Sequence, residues 1–200
     1  MDAAETLDAV REEARTDLER LGSDKLLVAV TGADLTPVAV REAAATREHG
    51  VADAMAGWAD DADGAVATAF TTAEEGARDC ADRIDADPGD PDALATHLQT
   101  VGATDARVGA GLVAVPLLAD RFYLQVVSFF VNEADEAGAD TFRDLRADAS
   151  DLDVARDALS ALDDAGREAA RDAAVETIEA AYADYADTLA GMGLDPKPIC

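Results

Sequence analysis

Residues 36–60, TPVAVREAAATREHGVADAMAGWAD, decide the fold. Thr36 is a good N-cap, and Pro37 is tolerated at the first helical position, so a helix opens here. Val40, Ala44, Glu48, Val51, Met55 and Trp58 then recur at helical spacing and form one face. The Asp-rich turn that follows ends the helix. Glu48 stands in the middle of this otherwise apolar face. An unpaired carboxylate there is costly, so Glu48 should be paired, protonated or bound to a metal. Neutralisation by Arg47 or another arginine is the ordinary outcome, as is a helix rotated to put Glu48 at a boundary.

Working outward, residues 65–85 repeat the pattern with Val66, Phe70, Ala73, Ala77, Cys80 and Ile84. Cys80 faces inward and Glu74 and Glu75 flank the stripe. The turn-rich run 85–91 suits a crossover between two helical hairpins. Upstream, Leu7, Val10, Ala14, Leu18 and Leu21 mark a first helix stopped by Gly22, and a short helix over 24–30 ends at Gly32. Downstream, a helix is expected over 92–115, with Pro116 as a break or kink. The next, 117–148, is apolar nearly all round in its first half. Such a helix belongs at the centre of a fold or in an oligomer interface. A last helix spans 152–189, with Gly166 as a possible interruption, and a tail follows Gly191-Met-Gly193.

No segment shows sustained strand alternation, so the class is all-α. Residues 1–200 read as one domain. It holds N-terminal helices over 1–31, a core over 37–147 with its crossover near 85–92, a C-terminal helix over 150–191 and a tail over 192–200.

Composition bounds the setting. Forty-three acidic residues face sixteen basic ones, for a net charge of −27. Only Lys25 and Lys197 are lysines. A field of one sign opposes compaction unless salt screens it. Asp-rich, Lys-poor, Ala-rich composition is therefore that expected in the cytosol of an extreme halophile. Binding of the nucleic-acid backbone uses clustered Lys and Arg, so a nucleic-acid partner is not expected. No run of 18 apolar residues occurs, so no membrane span is expected. The acidic start does not resemble a signal peptide. Cys80 and Cys200 form no spaced framework, and a reduced, cytoplasmic chain is the default.

Few residues offer chemistry. Glu133 and Glu136, one turn apart, could share a helix face and clamp a divalent cation; alternatively the helix emerges into solvent at Asn132. His49 points away from the Glu48 stripe, and His97 lies early in its helix. Cys80 packs as a small apolar residue. Cys200 is the exposed thiol by position. No glycine-rich phosphate loop, Ser-His-Asp arrangement or Cys-x-x-Cys pair is present.

These residues resemble the rubrerythrin branch of the ferritin-like bundles over about residues 24–147. In that family an inward Glu on the first bundle helix and Glu-x-x-His on the second, repeated in the second half, hold two irons. Glu48 matches the first Glu, Met55 stands where Tyr is common, and Trp58 is the following aromatic. Ala77-Arg-Asp-Cys80 falls on the Glu-x-x-His positions, so Ala77 and Cys80 replace both ligands. The nearest remnant in the second half is Glu133-Ala-Asp-Glu136. The whole chain also resembles a haloarchaeal group of rubrerythrin-like proteins, some labelled transcription antitermination protein. Phe129-Phe-Val-Asn-Glu133, Phe142-Arg-Asp-Leu-Arg146 and the ending from Gly191 carry that likeness.

The resemblance implies a ferritin-like up-down bundle with an eroded metal centre. No cofactor is expected; a remnant site of Glu48, Glu133 and Glu136, with His49 or Cys80, would hold at most a single iron or other divalent cation. The first expectation is a non-catalytic bundle that self-associates or binds a protein partner through the Phe122–Val131 region or the tail. The alternatives are a residual metal-binding or redox protein, and a transcription factor using Arg143 and Arg146.

Overall fold

The computed structural model describes residues 1–196, and among these it contains helices and no strands. Cys200 and Lys197 lie outside the described residues. The N-terminal layer is α1 (Ala3–Glu13), α2 (Arg15–Leu21) and α3 (Lys25–Val30). The apolar repeat from Leu7 to Leu21 is thus divided at Ala14. Asp2 opens α1 with a capping box, its side chain accepting from Glu5 N while Glu5 reaches back.

The first hairpin is α4 (Pro37–Asp61) and α5 (Gly64–Ile84), packed along their lengths. Thr36 caps α4 by accepting from Ala39 N. Every member of the 40–58 stripe is buried, Glu48 included. On α5, Val66, Phe70, Ala77, Cys80 and Ile84 are buried as expected. Trp58 meets Phe70 edge to face at 5.5 Å, closing one end of this seam.

Beyond the crossover the expected helix divisions are corrected. Asp92 does start a helix, but α6 (Ala93–Leu98) is short. The chain breaks over 99–103 and restarts as α7 (Thr104–Arg107). A π-helical segment, Val108–Ala114, follows and runs directly into α8 (Val115–Asn132). Pro116 therefore sits inside one continuous helix and does not end it. Proline removes an N–H and crowds the carbonyl four residues back. A π register, in which each carbonyl is reached from five residues on, relieves that conflict just upstream.

This long helix, Thr104–Asn132, is also long and apolar enough to cross a membrane by length and composition. Asp120 and Arg121 interrupt it, so it holds no unbroken run of 18 apolar residues. Half of its most apolar stretch is buried inside the fold. Phe122, Tyr123, Val126 and Phe130 are spent in the core, while Val131 is half exposed. Its apolar character is thus largely accounted for by central packing.

The expected helix over 117–148 is two helices. Asn132 ends α8, Ala134 adopts a left-handed conformation (φ 58°), and α9 (Glu136–Ala149) returns against α8. Asp135 caps α9 by accepting from Gly138 N at 2.9 Å. Phe130 and Phe142 stack at 5.1 Å across this pair, with the Arg41 guanidinium 4.8 Å over Phe130. The last expected helix is likewise divided, at Leu162–Asp163 and not at Gly166, into α10 (Asp153–Ala161) and α11 (Asp164–Gly191). Asp163 caps α11 through Gly166 N.

Helices α9 and α10 both lie against α5. Helix α11 runs along α7 and the π segment and touches α1, α2, α3 and α6. Its approach is possible because residue 109 is glycine: a Cβ there would lie 1.8 Å from the Ala170 carbonyl oxygen.

Candidate ligand cavity

Helix periodicity places Glu48 on the α4 face that looks toward α5 and α8. It is 5 % exposed. The Tyr123 hydroxyl, from α8, donates to Glu48 Oε1 at 2.6 Å. Glu48 Oε2 has no hydrogen-bond partner among the described residues. Arg47 does not make the expected contact. Its guanidinium points to Asp92 (3.4 Å) and covers the Phe122 ring at 4.4 Å.

Burial raises the Glu48 pKa to about 7. The Tyr123 hydrogen bond and the Arg47 charge oppose the rise, and Asp92 adds to it. Tyr123 is itself pushed well above its ordinary range, by burial first and then by Glu48. Around neutral pH the phenol is therefore the donor.

Glu48 lines a cavity of about 380 Å³ bounded by α4, α5, the π segment, α8 and the α9–α10 junction. Ala77 and Cys80 line the same cavity. The three positions singled out in the sequence on the first hairpin thus meet at one place. Val51, Leu112, Val115 and Val154 supply apolar wall, and Asp79, Asp148 and Asp151 stand at the exposed end. The size falls in the range of small-molecule sites. Gly111, also in the wall, lets the π segment close on α4, since a Cβ there would lie 2.4 Å from Met55 Cε and 2.5 Å from Trp58 Cζ3.

Cys80 is 3 % exposed. Burial pushes its thiol up to about 12, helped by the Glu48 charge and opposed by Arg83. It is protonated at neutral pH and a poor nucleophile.

Glu133 and Glu136 do not join this site. Glu133 caps the end of α8 and Glu136 begins α9, so the two flank a turn and share no helix face. Both are exposed. The expected clamp is corrected: among the described residues no group of three or more His, Cys, Asp or Glu side chains is placed to hold a metal ion. A di-iron centre does not fit either, since of the first hairpin's three positions one is a carboxyl, one a methyl and one a protonated thiol.

His49 borders a separate acidic recess with Asp82 and Asp85. His97 Nε2 lies 3.1 Å from Thr177 Oγ1, whose own proton goes to the Ala173 carbonyl, so His97 is the donor. Neither histidine reaches the cavity.

The arginines expected to meet phosphates are engaged by acids, Arg143 with Asp140 and Arg146 with Asp120 at 2.7 Å. Tyr123, which meets Glu48, was not singled out from the sequence. Its signal was slight: a single phenol on the otherwise apolar buried face of α8. Comparison with protein-family models, curated proteins and solved structures finds no match to this chain.

Proposed function

We propose that this chain is a non-catalytic binding protein whose cavity beside Glu48 takes up a small, mostly apolar molecule. We read its α4–α5 and α8–α9 hairpins as a ferritin-like bundle whose metal ligands are gone. The observation that carries the binding reading is the buried carboxyl, which lines the cavity and has one oxygen bonded to Tyr123 and the other without a hydrogen-bond partner among the described residues. A carboxyl kept only for packing would have both oxygens satisfied or be replaced by an apolar group. The inert thiol and the absence of a donor cluster among the described residues speak for binding over catalysis.

Two measurements test this. Small apolar molecules such as 1-hexanol should raise the melting temperature of the wild type. Ala77→Phe, which fills the cavity, should remove that response without loss of helical signal. An unchanged response in the filled variant would overturn the reading. Elemental analysis after purification in high salt decides the metal alternative: stoichiometric iron, manganese or zinc lost on Glu48→Ala would replace this proposal with the residual metal site.

A further inference from the structure

We infer that the cavity is built for an organic monocation, an apolar body ending in an ammonium group, with Glu48 as its counter-ion. This deepens the binding reading above and rests on it. Tyr123 has one proton and gives it to Glu48 Oε1, so it has none for a guest. Thr72, which also lines the cavity, gives its hydroxyl proton to the Thr68 carbonyl. Among the described residues, no lysine, arginine or histidine lines the cavity.

The charged groups of the walls are all acids: Glu48 at the buried end, and Asp79, Asp148 and Asp151 at the exposed end. Arg83 bridges Asp79 and Asp148 from outside, at 3.3 and 2.6 Å. Arg47 is turned away to Asp92. The Cys80 thiol, protonated and in the same wall, is only a weak donor, so among the described residues no cationic N–H donor meets Glu48 in the cavity and a guest can bring one. A charge-assisted bond to Oε2 is the strong interaction available there. The apolar walls require the rest of the guest to be hydrocarbon.

Binding of such a cation favours the ionised carboxyl. The groups facing Glu48 are Tyr123 from α8, Cys80 from α5, Arg47 from α4 itself and Asp92 ahead of α6. Tyr123 and Cys80 stay protonated over the neutral range, so Glu48 is the group of the site that changes charge there. Its proton should leave as the cation enters.

Titration calorimetry with hexylammonium and with 1-hexanol, in KCl held constant, tests the inference. Hexylammonium is expected to bind at least about tenfold more tightly than the alcohol at pH 8. Its affinity should fall about tenfold from pH 8 to pH 6, as the carboxyl with a pKa of about 7 takes up its proton. Glu48→Gln should remove both the preference and the pH dependence while leaving hexanol binding in place. Equal binding of both probes, with no pH dependence, would overturn the cation reading and leave the cavity reading standing. Binding of neither would overturn both. The wild-type pH comparison decides the matter even if a variant does not fold.

Discussion

Glu48 is held at a cost that pH controls. Its pKa in the folded chain is about 7 against an ordinary 4.5, so between these values the folded state binds more protons than the unfolded one. Stability therefore falls as pH rises through this window, the reverse of a salt-bridged carboxylate. From pH 5 to pH 8 this single group should remove on the order of 2–3 kcal/mol. Glu48→Gln removes the titration, so the stability gap between variant and wild type should move in the variant's favour by that amount. Chemical denaturation at the two pH values measures it, and a gap that stays constant would show that Glu48 is ionised throughout. The inward position of Glu48 was legible from spacing alone. Its partner was not, because a helix pattern fixes which way a side chain faces and not what the facing helix offers. Arg47 shows the same limit: neighbouring in sequence to Glu48, it is recruited by Asp92 and Phe122.

Helices were readable where stripes are long and ends carry unusual residues. Thr36-Pro37 fixed the start of α4, and the stripes of α4 and α5 named their buried faces, except that Ala73 is only half-buried. The breaks before α9 and α11 were hidden by composition. Each is made by an aspartate cap, Asp135 or Asp163, in a chain where aspartate is the commonest surface residue and so marks nothing. Asp163→Ala should cost about 1 kcal/mol through loss of that cap. Gly109→Ala should cost more, about 1–3 kcal/mol, because the added methyl meets the α11 backbone, which cannot rotate away. Thermal melts of the two variants side by side check the order. A harmless Gly109→Ala would mean that α11 lies farther from the π segment.

At the scale of the molecule, charge sets the conditions for folding. Each of the fourteen arginines pairs with a carboxylate. Such pairs contribute about 0–1 kcal/mol each where exposed, and salt weakens them. Salt also weakens the mutual repulsion of the remaining acids, which dominates at a net charge of −27. Raising KCl from about 0.2 M to about 2 M should therefore raise the urea midpoint, as followed by circular dichroism. A falling midpoint would mean that the ion pairs outweigh the repulsion.

The π segment has one more consequence. Its wider, looser turn forms part of the wall around Glu48, next to a proline that donates no amide bond to the ladder. Amide protons between residues 108 and 118 should exchange with deuterated solvent sooner than those in the middle of α4, although residues 108–114 are all buried. A guest seated against that wall would slow the exchange, so the irregular turn doubles as a built-in reporter of occupancy.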